Sequence, residues 1–294
     1  MKPNFLIVGA GRCGTTSVAF YLAQRSDVFI SPIKEPRFFV RDTIRRVSRL
    51  DPLHSIIKKQ AVFEPTRYMK LFETNRPYRY YGEASIHYLN HPDEAIPSIK
   101  KFVGDIPIII ILRNPVDRII SNWKFLTSEL FDLPTALAVE PYRKAAGYNS
   151  FWFYTEGSMY YERVKKYLDS FSNVLVLILE KFSSDTAAYY STCLDFLGLS
   201  PSHDTDISAI HNPSFDTWYL TNSSIVNHIK HNSLRYYFTS KATEKFPHIG
   251  RAIGLKHKST LAVDKDNLMK HFLSDIDKLS ILLREDLSIW TNAH

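Results

Sequence analysis

The chain has 294 residues, of which 45% are hydrophobic and 14% aromatic, so it can bury a sizeable core in one or two domains. The net charge is +7, but 30 acidic residues accompany 37 basic ones, which excludes a polycationic tail and suits an enzyme for anionic ligands at least as well as a nucleic-acid binder. Two cysteines argue against a disulfide framework, and the longest apolar run, at residues 106–112, is far shorter than the ~20 residues of a membrane span.

The first predicted strand begins almost at the N-terminus and runs into a glycine-rich turn. Residues 5–8 are apolar, as in a buried strand, and Val18, Tyr21 and Leu22 follow the turn at helical spacing. This start leaves no room for a signal peptide, and with only two cysteines it predicts a cytoplasmic protein. A strand that turns into a helix N-terminus presents backbone N–H groups to an anion. The sequence therefore predicts that a phosphate-like group binds at residues 11–17.

Two interpretations of this turn involve familiar nucleotide sites. In a P-loop, Gly9, Gly14 and Thr16 occupy their expected positions, but Thr15 takes the place of the lysine that contacts the terminal phosphates. In a dinucleotide-binding turn, the glycines need an acidic residue at the end of the next strand, whereas Glu35 lies beyond that strand. Neither pattern is complete.

A third interpretation makes Arg12 the cation of the loop. The anion is then held by Arg12, by the backbone of residues 13–16, which includes Cys13 and Gly14, and by the hydroxyls of Thr15, Thr16 and Ser17. Cys13 contributes its N–H here and is not a nucleophile, although a helix N-terminus is expected to lower the pKa of its thiol. A turn that only packs the helix on the sheet stays as the alternative without a ligand.

A second short strand, at residues 28–30, leads into a loop held out of helices and sheets by Pro32 and Pro36. Glu35 in this loop lies beside Lys34 and two phenylalanines, where a carboxylate could deprotonate an acceptor hydroxyl. The alternative is a solvated turn. Further along, residues 41–80 predict helices with a basic face that either is solvated or forms a wall for an anionic substrate, and His87 is either structural or an acid–base group.

The apolar run at residues 106–112 predicts a central parallel strand buried on both faces. Asn114 is a good N-cap and Pro115 a good first residue, so a helix should begin there. Arg113 at the strand end and Ser121 two turns into the helix then share one open face, where they could bind a second phosphate. A strand that holds magnesium in this position ends in Asp, whereas this one ends in Arg, which favours direct anion binding.

Taken together, two anion sites at neighbouring strand ends, without a P-loop lysine or a metal carboxylate, match a nucleotide phosphorylated at both its 3′ and 5′ positions. At this point the chain resembles the sulfotransferases that use 3′-phosphoadenosine 5′-phosphosulfate (PAPS), nearest to the glycan-type branch of heparan sulfotransferases and bacterial relatives. Residues 9–16 resemble the family's 5′-phosphosulfate loop, residues 34–39 its K-E-P-x-F-F motif, and residues 113–118 with Ser121 its 3′-phosphate motif. The similarity covers nearly the whole chain.

The resemblance implies an α/β fold, with residues 1–294 as a single P-loop-NTPase-like domain whose central, mostly parallel β-sheet is flanked by helices. It implies Glu35 as general base, with Arg12 and Lys34 neutralising the charge that develops on the departing phosphate. Arg37 and His87 are predicted to contact the acceptor. No metal is expected.

The chain departs from the family in two places. Heparan 3-O-sulfotransferases have a lysine where this chain has Ala84, and their late K-G-R loop corresponds to residues 256–258, so Lys256 and Lys258 are carried over as cofactor ligands although His257 replaces the glycine. The acceptor is predicted to be a carbohydrate or small metabolite with a hydroxyl or amine, and no nucleic-acid partner or membrane span is expected. The rival functions are a P-loop kinase or NTPase and a basic nucleic-acid-binding module.

Overall fold

The computed structural model describes residues 1–126, 128–201, 205–207, 218–220, 255–257 and 263–292. A sheet of five strands forms the centre of the fold. Its strands in chain order are β1 (Phe5–Gly9), β2 (Val28–Ile30), β3 (Tyr80–Ala84), β4 (Ile108–Leu112) and β5 (Val174–Ile178). All neighbouring pairs are parallel, in the spatial order β2-β3-β1-β4-β5. A separate antiparallel pair consists of β6 (Trp218–Leu220) and β7 (Leu255–His257).

Helices connect these strands within the described residues. In chain order they are α1 (Thr15–Ala23), α2 (Arg41–Arg46), α3 (His54–Gln60), α4 (Pro65–Lys70), α5 (His87–Asn90), α6 (Pro92–Val103), α7 (Pro115–Phe125), α8 (Leu133–Ala138), α9 (Glu140–Ala145), α10 (Tyr161–Ser170), α11 (Leu179–Ser184), α12 (Thr186–Phe196), α13 (Lys265–Met269) and α14 (Leu273–Leu283). Short 3₁₀ turns occur at Phe38–Val40, Ser150–Trp152, Glu156–Ser158 and Ser288–Trp290.

The sheet confirms the predicted α/β class. Every residue of β1 and β4 is buried, because helices cover both faces of the sheet and both strands are apolar. The chain places β3 on one side of β1 and β4 on the other, so the strand order reverses at β1. Parallel sheets bind ligands in the crevice outside the carboxyl ends of the strands at such a reversal. The loops after β1, β3 and β4 therefore border one crevice.

The helix after β4 begins where the sequence predicts. The side chain of Asn114 accepts hydrogen bonds from the N–H groups of Val116 and Asp117, and Pro115 is the first residue of α7. Val116 and Trp123 are fully buried on the predicted apolar stripe. This cap fixes the direction in which α7 leaves the sheet, and with it the position of residues two turns further on.

The C-terminal segment contacts the same strand end. The helix α14 ends at Leu283, because Arg284 adopts a left-handed conformation, and the turn Ser288–Trp290 follows as a separate element. Trp290 is fully buried, its Nε1 donates to Glu180 Oε2 at 2.8 Å, and its carbonyl accepts from Asn114 Nδ2 at 2.9 Å. Glu180 Oε1 in turn accepts the N–H of Asn114 at 2.8 Å. The C-terminal turn thus supports the cap of α7.

Candidate active site

The loop between β1 and α1 has the geometry of an anion site. Its strand ends at Gly9 and its helix begins at Thr15, as the sequence predicts. Arg12 has a φ of 68° and Gly14 a φ of 86°, so the chain turns sharply just before the helix. Gly14 caps α1 and has no side chain that could accept its first N–H groups. These N–H groups and the positive end of the helix dipole are suited to bind a negatively charged ligand.

Three residues predicted at two separate anion sites meet at the end of β4. The Nε of Arg12 donates to Ser121 Oγ at 3.1 Å, and Arg113 Nη1 lies 3.4 Å from the carbonyl oxygen of Arg12. The guanidinium of Arg12 also lies 4.3 Å from the ring centre of Phe125, which is half-exposed on the same helix as Ser121. Two cations and a hydroxyl therefore share one surface, which is a site for a phosphate-sized anion.

The electrostatics of this surface favour an anion as well. Partial burial, followed by the positive charge of Arg113, lowers the pKa of Arg12 to about 10. Arg12 keeps its charge at neutral pH, but it does so beside a like charge and in a partly buried position. A bound anion would relieve both unfavourable effects.

The expectation for the Cys13 thiol is wrong. Burial raises its pKa to about 11, and this effect outweighs the nearby charges of Arg118 and Arg113. The side chain is fully buried and its Sγ lies 3.5 Å from the carbonyl oxygen of Gly11. The thiol points into the protein, so the dielectric environment decides its pKa and the helix terminus does not.

A second cation lies at the start of α1. Lys34 Nζ donates to Thr16 Oγ1 at 2.5 Å, which brings the loop after β2 onto the glycine-rich loop. Thr15 and Ser17 are buried on the same turn of helix. Lys34 is therefore a cation that directly contacts a hydroxyl of the first helical turn.

Glu35 lies immediately behind Lys34 and is almost fully buried. Its Oε2 accepts the N–H of Ile86 at 3.1 Å and lies 3.6 Å from His87 Nδ1 and 4.0 Å from Arg37 Nη2. Burial alone would raise the pKa of Glu35, but His87 and the charges of Arg37 and Lys34 lower it below its ordinary value of 4.5. Glu35 is consequently an ionised carboxylate at neutral pH.

His87 and Arg37 belong to the surroundings of this carboxylate. Arg37 Nε donates to His87 Nδ1 at 3.2 Å, and Arg37 Nη1 donates to the Glu35 carbonyl and to Gln60 Oε1. Burial lowers the pKa of His87, so the ring is neutral at neutral pH. Its Nε2 has no hydrogen-bond partner among the described residues. Arg37 is 2% exposed, so its side chain supports Glu35 and does not line an open surface.

His87 also lines a pocket of about 130 Å³. Its wall is mixed in character and comes from α2, from α5 and from the segment after α9, with Thr43, Ile44, Arg46, Val47, His87, His91, Gly147, Tyr148, Asn149 and Ser150. A water molecule needs about 10–15 Å³ of such space, so the pocket is large enough for a small polar ring.

Some predicted residues cannot be placed at the crevice. Lys258 lies outside the described residues, and Lys256 is described only as part of the backbone of β7, where it pairs with Tyr219. The basic region at residues 41–80 forms α2, α3 and α4, as predicted, and its Arg46 borders the pocket beside His87.

Two contributors to the site escaped sequence reasoning. Phe125 lies under Arg12, and Glu83 is fully buried at the end of β3, beneath the loop that carries Glu35. A glutamate in a strand of the sheet was a signal for the second residue, because a buried charge needs partners. Nothing in the local pattern around Phe125 distinguishes it from other aromatic residues.

Within the part of the chain that the structure describes, no cluster of His, Cys, Asp and Glu could hold a metal ion. In the same residues, no helix combines the length and the apolarity needed to cross a bilayer.

Comparisons with known proteins agree with this geometry. A family model described as a sulfotransferase domain matches residues 2–273. A sulfotransferase from Alicyclobacillus acidocaldarius is 28% identical, with a TM-score of 0.77 over 99% of each chain. The sulfotransferase domain from the curacin biosynthetic pathway is 13% identical, with a TM-score of 0.51 over 98% of this chain and 99% of that one, and so shares the fold. No curated protein matches by sequence. The family match confirms the resemblance seen in the motifs, and the chain belongs to the sulfotransferase family.

Proposed function

We propose that this sulfotransferase takes its sulfuryl group from PAPS and transfers it to a hydroxyl or amine of a carbohydrate or small-metabolite acceptor. The observation that carries the proposal is that Arg113 and Ser121 lie at one end of the crevice and Lys34 and Glu35 at the other. Arg12 lies between them, where it donates to Ser121 and is within electrostatic range of Lys34. The donor carries anionic groups at both ends and must bring its sulfur atom to a base. The side chains at the two ends of this crevice can bind the anionic groups and provide the base.

The donor is held at its two anionic ends. Arg113 and Ser121 bind the 3′-phosphate, which is remote from the chemistry and serves to position the nucleotide. The 5′-phosphosulfate lies on the backbone of residues 13–16 and on the hydroxyls of Thr15, Thr16 and Ser17. Lys256 and Lys258 are proposed as further ligands from the family motif alone.

The transfer follows from the charges around Glu35. The acceptor oxygen or nitrogen attacks sulfur and forms the new bond, while the bond from sulfur to the bridging phosphate oxygen breaks in line with it. Glu35 takes the acceptor proton, which requires the ionised state that its lowered pKa supports. Lys34 and Arg12 neutralise the charge that builds on the departing 3′-phosphoadenosine 5′-phosphate, and preorganised groups of this kind contribute ~3 kcal/mol each.

The pocket beside His87 supports an acceptor rich in hydroxyl groups. Its wall offers a guanidinium, imidazoles, hydroxyls and an amide, which together can donate to and accept from a sugar-like ring. His87 lines this pocket, its Nδ1 lies 3.6 Å from Glu35 Oε2, and the hydrogen bond from Arg37 orients its ring. We assign acceptor binding to this side of the crevice, with His87 in direct contact and Arg37 as its support.

Two further expectations belong to the same proposal. The chain forms one sulfotransferase domain over residues 1–294, since the family model spans most of it. The protein is cytoplasmic, since both cysteines are free and buried, which suits a reducing compartment.

Thermal shifts with three nucleotides test the donor assignment. We expect 3′,5′-ADP to raise the melting temperature, with ATP-Mg and NAD giving no comparable shift. A larger shift with ATP-Mg would favour a P-loop kinase. Binding to nucleic acids that weakens with added salt to the same extent for every nucleic acid would favour a nucleic-acid-binding module. Mass spectrometry of acceptors incubated with PAPS then identifies the product that gains a sulfuryl group.

A further inference from the structure

The turn that presents Glu35 has an unusual backbone conformation. Glu35 has a φ of 59° and Arg37 a φ of 53°, with Pro36 between them. Residues other than glycine rarely adopt such angles, so neighbouring groups must hold them. The N–H of Glu35 donates to the carbonyl of Ala84 at 3.2 Å, and the N–H of Arg37 donates to Ser85 Oγ at 3.2 Å. The end of β3 therefore fixes both sides of the turn.

Ser85 is held in its turn by Glu83. The Ser85 hydroxyl donates to Glu83 Oε2 at 2.8 Å, while Glu83 Oε1 accepts from Tyr68 at 3.0 Å and from Tyr88 at 2.5 Å. Glu83 and Ser85 are both fully buried. The carboxylate thus has three hydroxyl donors around it and lies two residues from the group that holds Arg37.

The protonation of Glu83 determines which way the Ser85 hydroxyl points. An ionised carboxylate can only accept, so it takes the Ser85 proton and leaves the lone pairs of Ser85 for the N–H of Arg37. A protonated Oε2 would instead donate to Ser85, compete for those lone pairs and force the Ser85 proton to find another acceptor. The hydrogen bond that holds Arg37 is strongest when Glu83 is ionised.

We propose that Glu83 is a positioning residue for Glu35 and acts through Ser85 to hold the left-handed turn at residues 35–37 in the orientation needed for proton abstraction. This inference rests on the proposed role of Glu35 as the base. If the Glu35 carboxylate is displaced by a fraction of an ångström, the protein still folds and still binds the donor, but the carboxylate abstracts the proton slowly.

The charges around Glu83 separate its titration from that of the base. The groups that face it are the hydroxyls of Tyr68 from α4 and Tyr88 from α5, together with Glu35 and Arg37 from the turn. Burial raises the pKa of Glu83 to about 7 despite its hydroxyl donors, whereas the pKa of Glu35 lies below 4.5. An acid limb near neutral pH would therefore report Glu83, and a limb at lower pH would report Glu35.

A pair of matched variants tests the route through Ser85. Ser85→Ala and Tyr68→Phe each remove one hydroxyl from the same carboxylate, but only the first removes the group that holds Arg37. We expect Ser85→Ala to lower kcat about 10-fold with little change in the KM for PAPS, and Tyr68→Phe to lower kcat less than about 2-fold. Equal effects of the two variants on kcat, or no effect of Ser85→Ala, would overturn the proposal.

The pH dependence of kcat tests the charge of Glu83. We expect the wild-type profile to fall on its acid side near pH 7, and Glu83→Gln, which cannot titrate, to have a lower kcat at pH 8 and no inflection there. An unchanged inflection overturns the inference. If Glu83→Gln does not fold, the first pair of variants still decides the question. Glu35→Gln distinguishes the role of Glu35 as base from the role of Glu83 in positioning it. Normal turnover of Glu35→Gln would refute the role of Glu35. An inactive Glu35→Gln variant together with normal turnover of Ser85→Ala would refute only the role of Glu83.

Discussion

The two sides of the crevice are built in opposite ways. On the donor side, formed by residues 9–17 with Arg113 and Ser121, the two arginines are only partly buried. On the base side, formed by residues 35–37 and 83–88, nearly every polar group is buried and bonded to another. The donor side must bind and release a charged nucleotide in every cycle, while the base side must keep one carboxylate still. Each architecture suits its task.

The sharpest way to break this comparison is to remove the base. We expect Glu35→Gln to reduce turnover about 100-fold or more, because proton abstraction is lost, and to leave the affinity for 3′,5′-ADP nearly intact. Steady-state kinetics and calorimetric titration measure the two quantities. Glu64→Gln, at an exposed glutamate on the segment before α4, is the matched control. Wild-type turnover in the Glu35 variant would remove its assigned role.

The buried charge on the base side also predicts how stability depends on pH. The pKa of Glu83 is raised to about 7 from an ordinary 4.5, so between these values the folded protein binds more protons than the unfolded chain. Its contribution to the free energy of unfolding is present below pH 4.5 and is lost as the pH rises through 7, a change of roughly 3 kcal/mol. Urea unfolding at pH 5 and pH 8 should show a smaller pH effect in Glu83→Gln than in wild type. If the free energy of unfolding changes by the same amount between pH 5 and pH 8 in both proteins, the result would contradict the burial of this charge.

On the donor side, the specific effect is on ligand binding. Arg113→Ala should weaken 3′,5′-ADP binding roughly 10- to 100-fold, the equivalent of one charged hydrogen bond of about 1.5–3 kcal/mol. AMP, which lacks the 3′-phosphate, should bind almost as it does to the wild type. Arg67→Ala, at an exposed arginine of α4, controls for net charge. Equal losses for both nucleotides would place Arg113 elsewhere than at the 3′-phosphate.

The smallest effect concerns the aromatic ring beneath Arg12. Phe125→Leu removes a cation–π contact at a partly solvated site, which is worth ~0.5–1 kcal/mol, so the affinity for 3′,5′-ADP should fall roughly 2- to 5-fold. Phe63→Leu, which removes a similar contact to Arg45 outside the crevice, should leave this affinity unchanged. An unchanged affinity in the Phe125 variant would mean that Arg12 needs no support from the ring.

The donor side was largely predictable from the sequence because its elements are local. The glycine turn, the cap at Asn114 and the apolar strands each lie within a few residues of the groups they position. The approach of Arg12 to Ser121 followed from two neighbouring parallel strands ending at one edge. The base side was not predictable in the same way, since Arg37 meets His87 and Ser85 only through the packing of two distant segments.

Burial explains the remaining differences. From the sequence, the position of Cys13 at a helix N-terminus predicts a lowered pKa for its thiol. In the structure, burial raises that pKa instead. Arg37 stands in the motif as a residue that could reach an acceptor, but its burial commits its hydrogen bonds to Glu35, His87 and Gln60. Spacing along the chain predicts which residues lie near each other, but the extent to which each side chain is buried is known only from the three-dimensional structure.

The buried Trp290 gives the tail of the chain a function at a distance. Its carbonyl and indole bond the residues that cap α7, directly after Arg113. The family match ends at residue 273, before this tryptophan. A chain shortened to that point would retain every proposed phosphate ligand of the crevice and still lose the contacts that support the cap of α7. We therefore expect truncation after residue 273 to lower the affinity for the nucleotide before it unfolds the central sheet.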